Sequence, residues 1–170
     1  MNDRVIVIGG GVAGLSTARA LADLGTEVIL LEKEQNPGGH VKNWDRLFPS
    51  RRPGREVIDF LSKGSPDNPV IRYQSEVVTL EKGPEGFIVR TVSGETYSGR
   101  SVVLATGFEL FDARKKEEYG YGIYDNVITS AELESIFKEG KKLTTVDGKT
   151  PARVGIIHCV GSRDEKVGNL

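Results

Sequence analysis

The chain has 170 residues, with 23 lysines and arginines against 24 aspartates and glutamates and a formal net charge of −1. That balance gives no electrostatic reason to expect nucleic acid or an anionic membrane as the main partner, and one cysteine, Cys159, excludes an internal disulfide or an all-cysteine metal cluster made by this chain alone. The start is polar and every apolar run is too short to span a bilayer, so neither a signal peptide nor direct membrane insertion is expected and the expected compartment is the cytoplasm.

In chain order, Val5 to Ile8 reads as a short buried strand. It runs straight into Gly9-Gly10-Gly11-Val12-Ala13-Gly14, a G-x-G-x-x-G on Gly9, Gly11 and Gly14. A helical pattern follows, with Leu15, Ala18, Leu21 and Ala22 on one face and Gly25 as its stop. A second apolar strand, Val28 to Leu31, ends on an acid, Glu32, eighteen residues after Gly14. The spacing has a physical reason. Gly9 permits a tight turn, Gly11 has no side chain where a pyrophosphate would approach the backbone, and Gly14 allows helix and strand to pack closely. The helix start at Val12 and Ala13 then offers unsatisfied N–H groups and a positive dipole end to phosphate. A carboxylate at Glu32 accepts from ribose hydroxyls and disfavours a 2′-phosphate, so the expected nucleotide is FAD or NAD rather than NADP.

Lys33 to Asn36 lead to Pro37-Gly38-Gly39-His40, whose paired glycines soon after the acid read as a second turn against phosphate. In this pairing the sequence resembles the large group of flavoproteins that bind FAD on a Rossmann-like half, and the resemblance moves the expected cofactor from NAD to FAD. If the glycines sit by the pyrophosphate, His40 and its neighbours lie toward the flavin; a loop histidine is otherwise solvated or structural. Trp44, Leu47 and Phe48 read as a loop anchored in the core, and Pro49 to Arg55 as a solvated basic turn. Glu56 to Lys63 is a short helix with Val57, Ile58 and Leu61 inward and Gly64 as its stop, followed by a turn over Ser65 to Pro69.

From Val70 the period becomes extended. Val70 to Tyr73 is a brief strand beside the Glu32 strand, and Glu76 to Glu81, Gly86 to Val92 and Glu95 to Ser98 form an antiparallel meander with turns at Gly83-Pro84 and Ser93-Gly94. Ser101 to Ala105 is a continuous apolar run, the pattern of a strand buried on both faces, and it ends in Ala105-Thr106-Gly107 at the ligand-binding edge of a parallel sheet. This order over residues 4 to 108 is similar to the FAD domain of the two-dinucleotide-binding flavoproteins. The resemblance implies that the Val77 backbone lies against adenine and that Thr106 and Gly107 sit near the pyrophosphate or ribityl chain.

Beyond it, Thr129 and Glu132 form a capping box for a helix with Leu133, Ile136 and Phe137 inward and Gly140 as its stop, and Val154 to Val160 reads as another buried-type strand before Gly161-Ser162-Arg163-Asp164. The combination ATGFELFDA, YGYG, NVITSAELE and HCVGSRDEK resembles the A-type flavoproteins of heterodisulfide reductase and the related flavoprotein of the quinone-interacting membrane-bound oxidoreductase. That resemblance implies FAD and electron transfer among partner subunits, often iron–sulfur proteins. Two departures stand against it: the loop from His40 to Arg55 has no cysteine where many relatives carry one, and no second G-x-G-x-x-G is present.

The expected architecture is α/β, a Rossmann-like FAD/NAD(P)-binding domain over residues 1–170, with a core nucleotide-binding region at 1–112, a family-specific extension at 113–170 and the closing strand of the site missing. The candidate cofactor residues are Gly9, Gly11, Val12, Ala13, Gly14, Glu32, Lys33, Gly38, Gly39, His40, Val77, Ala105, Thr106 and Gly107. No redox cysteine pair, acid–base dyad or metal-ligand spacing is present, so no catalytic residue and no metal are assigned. The rival readings are a nicotinamide-binding Rossmann protein and an interaction module that keeps the fold without the cofactor.

Overall fold

A computed structural model describes residues 3–63 and 69–161. The expected stop at Gly64, most of the turn that follows it and the Ser162-Arg163-Asp164 segment lie outside the described residues. The elements are β1 (Val5–Ile8), α1 (Val12–Asp23), β2 (Val28–Leu31), β3 (Arg46–Leu47), β4 (Arg52–Pro53), α2 (Gly54–Ser62), β5 (Val70–Arg72), β6 (Val77–Gly83), β7 (Gly86–Thr91), β8 (Thr96–Gly99), β9 (Ser101–Leu104) and α3 (Ser130–Lys138). They fall into two compact units: the chain up to Lys42 with Arg46–Gly107, and Asn43–Asp45 with the residues from Phe108 onward.

The first unit is built on a parallel sheet of order β5-β2-β1-β9. In register, Val5 to Ile8 of β1 face Val28 to Leu31 of β2 on one side and Ser101 to Leu104 of β9 on the other. Successive side chains of a strand point to opposite faces, so each central strand feeds two cores. Val7, Val28 and Leu30 join Leu15 and Ala18 of α1 and Ile58 of α2 on one face. Ile6, Ile8, Ile29 and Leu31 join Val89 of the meander on the other. The result is three layers, with helices, parallel sheet and the antiparallel sheet β6-β7-β8 stacked in that order. Burying side chains the size of Ile6, Leu15, Leu30 and Leu31, each under 2% exposed, is worth roughly 1.5–3 kcal/mol apiece. Gly25, in the left-handed region, ends α1 as expected: its N–H donates to the Ala22 carbonyl and that of Thr26 to Leu21.

Three expectations about strands and loops need correction. Ser101 to Leu104 is an edge strand rather than one buried on both faces, because β9 pairs only with β1 and leaves Leu104 65% exposed. Phe48 does not anchor a loop in the core; it sits in the turn between β3 and β4 and is 95% exposed. Val154 to Val160 forms no strand, and Val154, Ile156 and Ile157 are exposed. An apolar run supplies side chains for a strand but not the neighbouring backbone that completes a ladder, and among the described residues none pairs with this one.

In the second unit α3 forms as the capping box predicts. The Glu132 N–H donates to Thr129 Oγ1 at 3.2 Å, and the Thr129 N–H donates to Glu132 Oε2 at 2.6 Å. Leu133 and Ile136 are half-buried as expected, whereas Phe137 is 44% exposed.

Candidate functional site

The three glycines of the first turn differ in what surrounds them. A Cβ on Gly9, whose φ is +106°, would lie 2.3 Å from the Ala105 carbonyl oxygen, and one on Gly14 would lie 1.8 Å from the Gly9 carbonyl oxygen. Both positions are closed by backbone, so only hydrogen fits. A Cβ on Gly11 would meet nothing within 4 Å. The bare backbone at Gly11 therefore borders open space, the arrangement a pyrophosphate needs. Gly11 is also the N-cap of α1, where no side chain caps the helix and no acid stands in the first turn. The N–H groups of Val12, Ala13 and Gly14 thus keep the dipole end of α1 available to an anion.

The second glycine pair is tied to the first. The Gly38 N–H donates to the Gly10 carbonyl at 2.7 Å, and a Cβ on Gly39 would come within 3.4 Å of Gly11 Cα. Gly38 itself is packed on α2, with Ile58 Cδ1 2.5 Å from where its Cβ would be. His40 follows in a short 3-10 turn, Gly39–Asn43, and is half-buried. In the same turn Lys42 pairs with Glu34 and holds the Glu34 carboxyl below the usual glutamate range.

Glu32, 6% exposed at the end of β2, has both carboxylate oxygens fixed by backbone. Oε2 accepts from the Gly10 N–H at 2.6 Å and Oε1 from the Glu34 N–H at 2.8 Å. Its own carbonyl accepts from the Ser75 N–H at 2.9 Å, which brings the turn after β5 alongside. Each carboxylate oxygen retains a lone pair for a hydroxyl donor. Burial, and secondarily the Glu32 charge, raises the pKa of Tyr73 in that turn. Lys33, next along the chain, is exposed. Val77, at the start of β6, packs its side chain against the meander-side core, and the ladder register shifts between it and Thr79.

The third component is the end of β9. The Ala105 N–H donates to the Ile8 carbonyl at 2.8 Å, and Ala105 Cβ lies 3.4 Å from where a Gly14 Cβ would be. Thr106 and Gly107 are exposed beyond it, Gly107 with open space around its Cβ position. Folding thus brings the ends of β1, β2 and β9 to one edge of the sheet, where the two glycine turns meet. Gly10 has a role that sequence reasoning missed: its N–H orients Glu32, and a Cβ there would fall 2.7 Å from Glu32 Oε2. The glycine pattern treats that position as free, so only the run of three glycines hinted at it. Among the described residues no group of His, Cys, Asp or Glu could hold a metal ion.

Comparison with known proteins gives this geometry a family. The profile of the pyridine nucleotide-disulphide oxidoreductases matches residues 3–159. The chain belongs to that family. It is similar to the A component of the H(2)/formate:CoB-CoM heterodisulfide,ferredoxin reductase of Methanococcus maripaludis, 28% identical over 258 residues that take in 96% of this chain and 38% of the relative. The A-type iron-sulfur component of a CoB–CoM heterodisulfide reductase of Methanopyrus kandleri is likewise 28% identical, over 253 residues and the same shares. Among solved structures, the thioredoxin reductase of T. acidophilum aligns with a TM-score of 0.54 at 27% identity, covering 62% of this chain and 36% of that one. Lactococcus lactis thioredoxin reductase shares the fold with a TM-score of 0.59, 24% identity and coverage of 69% and 40%. The chain has the Rossmann-like FAD/NAD(P)-binding fold of that family. It spans little more than a third of the curated relatives it matches, and their matched stretches exceed its 170 residues, so they carry additional residues within the matched region.

Proposed function

We propose that this chain seats FAD in a heterodisulfide-reductase-A-like oxidoreductase and passes electrons between partner subunits, iron–sulfur proteins among them. The observation that carries the reading is the cradle at Gly11: open space beside Gly39, the uncapped start of α1, and a backbone-held carboxylate at Glu32. These residues fit a dinucleotide. Val12, Ala13 and Gly14 would donate N–H groups to its phosphates, and Glu32 would accept from the ribose. The bond from Gly38 to the Gly10 carbonyl favours FAD over a nicotinamide nucleotide, because it sets a second glycine turn against the same phosphate position. Lys33, His40, Val77, Ala105, Thr106 and Gly107 belong to the same proposed site. Bound FAD supplies a centre that exchanges electrons singly or in pairs, while the protein fixes its position and potential. The similarity to the Methanococcus maripaludis relative across 96% of the chain supports the electron-transfer role.

The test is spectroscopic. Purified protein incubated with FAD is expected to retain a bound flavin absorption band after gel filtration, to unfold at a higher temperature, and to show neither effect with NADP. Protein that stays colourless with excess FAD and shows no thermal shift would refute the assignment and favour an interaction module. A thermal shift with NAD alone would favour the nicotinamide rival.

A further inference from the structure

The second glycine turn must be bare of side chains and must also stay in place. Gly38 and Gly39 have positive φ, +117° and +52°, and glycine loses more conformational freedom on ordering than any other residue. No helix or strand covers residues 32–38, the stretch that leads into the turn. What holds this stretch is a node at Glu34. The Glu34 N–H donates to Glu32 Oε1 at 2.8 Å, the Glu34 carbonyl accepts from the Gln74 N–H at 3.1 Å, and the Glu34 carboxylate pairs with Lys42. Lys42 stands eight residues on, beyond the glycine pair, and its Cβ lies 3.0 Å from where a Gly38 Cβ would be. The ion pair thus ties the residue that holds the Glu32 carboxylate to the turn that passes Gly11.

We propose that Glu34 and Lys42 form an ionic latch that retains the bound nucleotide. The inference rests on the FAD reading above and adds two positioning residues to it, which act through the glycine turn. Joining residue 34 to residue 42 closes a short loop and reduces the conformations open to Gly38 and Gly39. Less ordering is then left for the moment of binding. The effect falls on dissociation: FAD leaves when the turn lifts from Gly11, and lifting breaks the pair. Exposed ion pairs contribute little to folding, and the stability of this unit comes from its buried sheet and helix side chains, such as Ile6, Leu15 and Leu30. The Lys42 side chain is 25% exposed and that of Glu34 49%, so the pair belongs in the upper part of that small range. A contribution of this size barely changes the fold, yet it changes a release rate measurably.

The experiment measures release of FAD from the loaded full chain, followed by the change in flavin emission on dilution. Glu34→Gln, which keeps the backbone N–H that serves Glu32, and Lys42→Met should each speed release about three- to fivefold at low salt. The double variant should release FAD no faster than the faster single one, because one pair is lost only once. Lys42→Arg should stay within about twofold of the parent. Added salt should speed release from the parent more than from Glu34→Gln. The melting temperature of the cofactor-free protein should fall by no more than about 4 °C in any variant. Release unchanged by the single substitutions, additive effects in the double variant, or an Lys42→Arg protein as fast as Lys42→Met overturns the latch and leaves the FAD reading standing. Faster release that accompanies a larger fall in melting temperature makes the pair a part of the fold and overturns it equally. A parent protein that holds no FAD overturns the FAD reading and the latch with it.

Discussion

Three glycines at one turn make opposite demands, and substitutions separate them. Gly11 has extended backbone, φ −72° and ψ −178°, which any residue adopts, and its Cβ position is empty. Gly11→Ala should leave stability within about 0.5 kcal/mol of the parent while weakening FAD binding at least about tenfold, since the methyl group occupies the phosphate position. Gly14→Ala should do the reverse. Its methyl group would collide with the Gly9 carbonyl, and overpacking of that kind costs about 1–3 kcal/mol or more. Chemical denaturation and flavin titration of the two variants check both claims, and a stable Gly14→Ala protein would contradict the packing argument. Glu32→Gln keeps the shape but leaves one amide N–H₂ facing a backbone donor, Gly10 or Glu34. A loss of about 1–3 kcal/mol in stability is expected, together with weaker FAD binding by calorimetry.

For single elements, α3 and β9 are the instructive cases. Thr129→Ala removes the N-cap of α3 and should cost about 1 kcal/mol, measured from amide exchange within that helix. The partner Glu132 gives this cap a pH dependence. Burial pushes its carboxyl up, yet the Thr129 N–H and hydroxyl and the Tyr121 hydroxyl outweigh that and hold it below the usual glutamate range. A carboxyl lowered in the folded state stabilises fully above its unfolded pKa, about 4.3, and loses that contribution as pH falls through the lowered value. Protection of α3 should therefore decline on acidification below about pH 4.3, and Glu132→Gln should flatten that decline. β9 shows the limit of pattern reading. Three of its four residues are as apolar as those of β1, but the last, Leu104, is 65% exposed because the sheet ends there.

Across the whole chain the hydrophobic burial is lopsided. All the fully buried apolar side chains among the described residues, from Ile6 to Val89, belong to the first unit. The described part of the second unit holds eleven of the nineteen exposed large apolar residues, Ile123, Tyr124, Ile156 and Ile157 among them. Stability follows burial, so native-state hydrogen exchange should find the slowest amides in β1 and β2 and much faster exchange from Phe108 onward. Uniform protection across both units would contradict this. FAD at a hundred times its dissociation constant should add about 2.7 kcal/mol to the unfolding free energy of the first unit, read as a rise in its melting temperature.

Local chemistry was enough to reveal the glycine turn, α1 with its Gly25 stop, the acid at the end of β2, the meander and the α3 cap. Each of these depends on residues close in sequence: a side chain missing where a turn is tight, a period of two or 3.6, a hydroxyl three residues before a carboxylate. Long-range packing alone assigned Gly10 to Glu32, joined Gly38 to Gly10, put β9 at the sheet edge, left 154–160 without a ladder and raised Phe48 on a hairpin tip. Whether an apolar side chain is buried, or a backbone N–H finds its acceptor, depends on which distant segment arrives beside it. No window of neighbouring residues contains that information.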